Sequence, residues 1–115
     1  MITIQISRDD DLRIQGFTVS GHALFAKAGD DIICAAVSMI TINTVNAIEE
    51  FLPDEKSDVT VNREEGFISF MLKESPTKES ELLLQTFRLG VVSIEEQYGR
   101  KFVKVIEDIP HHEDE

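Results

Sequence analysis

The chain has 115 residues, 42% of them hydrophobic, enough for one domain around one core. Acidic side chains outnumber basic ones by 22 to 11, giving a formal net charge of −11 and a pI near 4.6. Such a surface repels polyanions and argues against direct nucleic-acid binding; it suits a basic partner, and equally it suits plain solubility.

Met1 leads directly into an alternating pattern with no basic leader. Ile2, Ile4 and Ile6 alternate with Thr3, Gln5 and Ser7, the period of a half-buried strand. Arg8 to Asp11 reads as a polar turn, and a second strand is expected from Leu12 to about Val19. Its apolar positions change phase near Gly16, from Leu12 and Ile14 to Phe17 and Val19, which predicts a bulge there. A first helix is expected from Asp31 to Phe51, ended by Pro53. Its core stripe reads as Ile33, Ala36, Val37, Ile40, Thr44, Ala47, Ile48 and Phe51. A second apolar face, with Ile32, Ala35, Met39 and Ile42, awaits either a twisted sheet or another subunit.

Asp58 to Asn62 and Phe67 to Leu72 alternate about the turn Glu64-Glu65-Gly66, a hairpin. Ser75-Pro76 suits the cap and first position of a second helix, whose Leu83, Phe87, Val91, Ile94 and Tyr98 recur on one face before Gly99. Phe102 to Ile106 reads as a final, central strand. The expected fold is α+β: two helices on a mixed, mostly antiparallel five-stranded sheet, in the order strand-strand-helix-strand-strand-helix-strand. The domain is taken as residues 1–106, with 107–115 an acidic tail. The tail's adjacent His111 and His112 are read as solvated rather than as metal ligands, and no metal or cofactor is expected.

No uninterrupted apolar run reaches the ~18 residues that suggest a membrane span. Cys34 is the single cysteine, so no internal disulfide forms and a reducing compartment fits, with a cytoplasmic location expected.

Chemistry concentrates between Ser20 and Ser38. With Asp31 as N-cap, Cys34 is the third residue of the first helix, where the partial positive charge of the helix start favours a thiolate. His22 lies twelve residues upstream across a loop and is placed to take the thiol proton. Ser38 is one turn beyond Cys34 on the same face. The same residues also admit a plainer account: Cys34 as a small buried hydrophobe and His22 as an ordinary loop residue.

Gly21-His22-Ala23, Gly29, Asp31-Ile32-Ile33-Cys34-Ala35, Val37-Ser38 and Thr44-Val45-Asn46-Ala47 together resemble the ribosomal-processing cysteine protease (Prp) family, over nearly the whole chain. The resemblance implies a small homodimer that removes a short N-terminal extension from large-subunit ribosomal protein twenty-seven. It implies Cys34 as nucleophile and His22 as general base and acid, with Gly21, Asp31 and Ser38 in supporting positions. The expected substrate is an extended, basic precursor with aromatic residues just before the cut, admitted by a loop spanning residues 23–30. The alternative is a non-catalytic assembly protein whose acidic face holds a basic ribosomal protein; a thiol redox sensor is a weaker one, with no second cysteine to resolve it.

Overall fold

A computed structural model describes residues 1–21 and 32–108. The elements are β1 (Ile2–Arg8), β2 (Ile14–Ser20), α1 (Ile32–Phe51), β3 (Ser57–Asn62), β4 (Phe67–Leu72), α2 (Lys78–Tyr98) and β5 (Val103–Asp108). The five strands form one sheet in the order β3-β4-β2-β1-β5, antiparallel except for the β1–β5 pair. The α+β architecture and element order expected from sequence are those observed. Both helices are crossovers between parallel strands: α1 carries the chain from β2 past β4 to β3, and α2 carries it from β4 past β2 and β1 to β5.

The strands alternate as the period of two requires. Ile2, Ile4 and Ile6 of β1 join Phe17 and Val19 of β2, Phe70 and Leu72 of β4, and Val103 of β5 in one buried cluster with the helices. The intervening Thr3, Gln5, Thr18, Ser69 and Lys104 fall on the other face and are half-buried or exposed. At the centre Phe17 stacks on Phe87 of α2, with ring centroids 4.0 Å apart, and on Phe70, at 5.6 Å. This stack fixes α2 to the sheet; removing any of these rings leaves a large cavity, typically costing about 3–5 kcal/mol.

The expected bulge is present. Ser7 pairs with Gly16 and Arg8 with Ile14, so Gln15 is the extra residue, which returns Phe17 and Val19 to the core side. Gly16 beside it is there for space: a Cβ would lie 2.2 Å from the Phe70 carbonyl oxygen. β2 starts two residues later than expected. Leu12 is exposed in a left-handed conformation (φ 65°), inside a turn that Asp9 closes by accepting from the amides of Asp11 and Arg13.

Other boundaries also differ from expectation. α2 is capped by Thr77, not Ser75. The Thr77 hydroxyl accepts from the Ser80 amide, and the Ser80 hydroxyl accepts from the Thr77 amide, a reciprocal box that Ser75-Pro76 cannot form. β5 lies at an edge of the sheet, not at its centre as its apolar run suggested, and it runs two residues past Ile106, where Glu107 is held by Arg8 and Arg88. The core stripe of α1 is Cys34, Val37, Thr41, Thr44, Val45 and Ile48; Phe51 is exposed, and Ile33, Ala36 and Ile40 are half-buried. Ile32, Met39 and Ile42 are open in the single chain, so the sheet does not cover the second apolar face.

Taken as a whole, α1 is also long and apolar enough to cross a membrane, which the run-length count missed because serine, threonine and asparagine interrupt it. Its buried residues are nonetheless part of the sheet's core.

Candidate active site

Cys34 is the third residue of α1 and is only 3% exposed, with its side chain in the core cluster. The sequence expectation for its place in the helix therefore holds. Ser38 follows one turn later and is half-buried. With ~100° per residue, Ser38 lies about 40° around the helix from Cys34. Thr41 and Val45 lie within about 20° of the Cys34 direction, and both are buried.

Gly21 directly follows Ser20, the last residue of β2. Its amide donates to the Gly66 carbonyl in the β3–β4 turn (2.9 Å). A Cβ there would lie 2.8 Å from the Met1 carbonyl oxygen and 3.0 Å from the Ile2 Cα. Both obstacles are backbone, so only glycine lets the chain leave the sheet along this line. This is the physical content of a glycine immediately before His22.

His22 and Asp31 lie outside the described residues, as do the rest of the 23–30 loop and the His111-His112 pair. Of the five site residues chosen from sequence, the structure thus places Gly21, Cys34 and Ser38. Among the described residues no group of three histidine, cysteine, aspartate or glutamate side chains is arranged to hold a metal ion.

One feature was not found from sequence. A trough of about 280 Å³ runs between α1 and β3, lined by Ile42, Val45, Val59, Val61 and Ile68, with Asn46, Glu49 and Arg63 completing it. β3 is one of the sheet's two edge strands, and Val59 and Val61 are 39% and 51% exposed. The alternation of β3 was legible, but nothing local distinguishes an edge strand from an inner one.

Two charges with shifted titration, Glu107 and Arg88, lie away from Gly21. Glu107 takes hydrogen bonds from Arg88 (2.6 Å) and Arg8 (2.7 Å), at the end of β1 and β5 remote from Gly21. Its carboxyl is held below the usual carboxylate range by the hydrogen bond from Arg88, against the opposing effect of burial, and further by Arg8. Arg88 is correspondingly raised by its hydrogen bond to Glu107.

Comparison with known proteins gives this geometry its context. The family described as "Cysteine protease Prp" matches residues 1–103. The ribosomal processing cysteine protease Prp of Staphylococcus aureus is 32% identical over 99 residues, covering 86% of this chain and 92% of the relative. That of Bacillus subtilis is 30% identical over 102 residues, covering 85% and 90%. The crystal structure of S. aureus Prp with a substrate peptide superposes with a TM-score of 0.82 at 27% identity, covering 94% of this chain and all of that one. The same protease with a covalently linked product peptide gives a TM-score of 0.81 at 29% identity, with the same coverage. Matched in sequence from Met1 to Val103 and in fold across both helices and all five strands, the chain belongs to the Prp family of cysteine proteases.

Proposed function

We propose that this cysteine protease removes the short N-terminal extension of large-subunit ribosomal protein twenty-seven, with Cys34 as nucleophile and His22 as general base and acid. The observation that carries the reading is the place of the chain's single cysteine, in the first turn of α1, beyond a glycine that no larger residue can replace. The relatives' complexes with a substrate peptide and with a covalently linked product peptide support it.

The Cys34 thiolate attacks the scissile carbonyl, and the carbonyl oxygen becomes an oxyanion. Backbone amides at the start of α1 stabilise it. His22 gives its proton to the leaving amine as the tetrahedral intermediate collapses to the thioester. It then draws a proton from water, which hydrolyses the thioester and restores the thiol. Asp31 and Ser38 have supporting roles, Ser38 standing one turn beyond Cys34 on α1.

The 22 acidic against 11 basic side chains suit a basic precursor, and the single cysteine suits a reducing, cytoplasmic setting. The exposed Ile32 and Met39 give α1 an apolar face on which two copies can associate as a homodimer.

The test is intact-mass spectrometry of the full-length precursor after incubation with wild type, Cys34→Ala and His22→Ala. The expected outcome is loss of an N-terminal peptide with wild type alone, both variants being folded by circular dichroism. Cleavage by Cys34→Ala would overturn the assignment. An uncut precursor that co-purifies with wild type would identify a binding protein instead.

A further inference from the structure

The flank of α1 that carries Cys34 continues into the trough described above. Ser38, Ile42, Val45 and Glu49 follow Cys34 at steps of three and four residues, all within about 80° of it around the axis. The opposite flank is taken by α2, where Ile40 lies against Gly90. Ile42 and Val45 stand about 12 Å and 16 Å along the axis from Cys34, at ~1.5 Å per residue. An extended peptide advances ~3.3 Å per residue, so that distance corresponds to about four residues.

We propose that the trough is a specificity subsite for the substrate peptide. It takes one large apolar side chain about four residues from the bond that is cut. The inference rests on the protease reading above and adds where substrate selection occurs.

Four observations favour an extended peptide over other occupants. The volume, about 280 Å³, has room for a large side chain and is too small for a packed helix. The walls, Ile42, Val45, Val59, Val61 and Ile68, are aliphatic. One wall is β3, an edge strand of the sheet, the kind of element beside which extended peptides are recognised through their backbone. Glu49 and Arg63 both line the trough, and the chain's net charge of −11 favours the approach of a basic precursor.

The experiment uses quenched fluorescent peptides spanning the proposed precursor junction. Each residue within five of the cut is replaced in turn by glycine. With wild type, one replacement about four residues from the cut should lower kcat/KM by about tenfold or more, the scale of losing one apolar side chain from a pocket. Val61→Glu should lower kcat/KM for the parent peptide by a similar factor. On the peptide already lacking that side chain, the loss from Val61→Glu should shrink to under about twofold, because both changes remove the same contact.

Val61→Thr, which keeps the β-branched shape, should fall between wild type and Val61→Glu and covers any folding defect of the latter. Leu89→Glu, at an exposed apolar site on α2, is the control and should match wild type. The proposal is overturned if Val61→Glu cuts the parent peptide at the wild-type rate, or if the two losses multiply independently. It is also overturned if Val61→Glu only converts a dimer to a monomer, since the occupant is then a second copy. Wild type that cuts no peptide overturns the protease reading and this one together; wild type that cuts, with Val61 indifferent, overturns only this one.

Discussion

Thr41 is fully buried on the core side of α1, and its hydroxyl has no hydrogen-bond partner among the described residues. A threonine of the same helix shows the usual remedy: the Thr44 hydroxyl donates to the Ile40 carbonyl at 2.7 Å. Thr41 lacks that contact, so it carries the cost of a desolvated hydroxyl. Thr41→Val keeps the shape and removes the cost. It is expected to raise stability by about 1 kcal/mol, read as a rise of a few degrees in Tm by differential scanning calorimetry. A lower Tm would mean that the hydroxyl is bonded in solution. Cys34, buried two turns earlier on the same line, shows how far single residues are legible. Its place in the helix follows from the aspartate and the apolar run around it, but its burial does not. Every side of this helix carries apolar residues, so periodicity alone could not choose the face turned to the sheet.

The start of α2 teaches the same lesson for an element. Ser75-Pro76 and Thr77 are both acceptable openings by residue type, and the geometry selects Thr77 because Ser80 stands three residues on to complete the box. The Thr77 hydroxyl also hydrogen-bonds the Glu55 carboxylate, tying the helix start to the loop before β3. Thr77→Ala should therefore destabilise the protein by about 1–2 kcal/mol, measured by urea unfolding, while Thr77→Ser recovers most of the loss. An unchanged midpoint for Thr77→Ala would show that the helix is held by packing alone. Other elements were legible for definite reasons. The bulge in β2 announced itself because an extra residue must shift the phase of the apolar positions. The β3–β4 hairpin followed from two alternating runs about a turn. The position of β3 at the edge had no such signature, since Val59 and Val61 look like core residues until the strand order is known. The trough beside them was invisible for the same reason.

Across the whole molecule, strand order decides what short-range patterns cannot. Glu107 reads from sequence as the first residue of an acidic tail. The parallel pairing of β1 with β5 sets it beside Arg8, 99 positions away in the chain, and α2 brings Arg88 to its other oxygen. Three elements are thus joined through one carboxylate, at the end of the sheet remote from Gly21. Because this carboxyl titrates lower in the folded chain than in the unfolded one, folding is favoured by its ionised form. That stabilisation is fully present above the ordinary carboxylate range and is lost as pH falls through the depressed folded value. Near neutral pH, Glu107→Gln should lower stability by roughly 1–2 kcal/mol, a figure limited by partial exposure of the cluster. The variant should converge with wild type as the solution is acidified below that range. Melting curves of both proteins from pH 7 down to about pH 3 measure it, and a gap that stays constant or widens on acidification would show that Glu107 acts through packing rather than charge. Since Glu107 belongs to neither the cysteine site nor the trough, peptide cleavage by Glu107→Gln at temperatures well below its Tm should follow wild type.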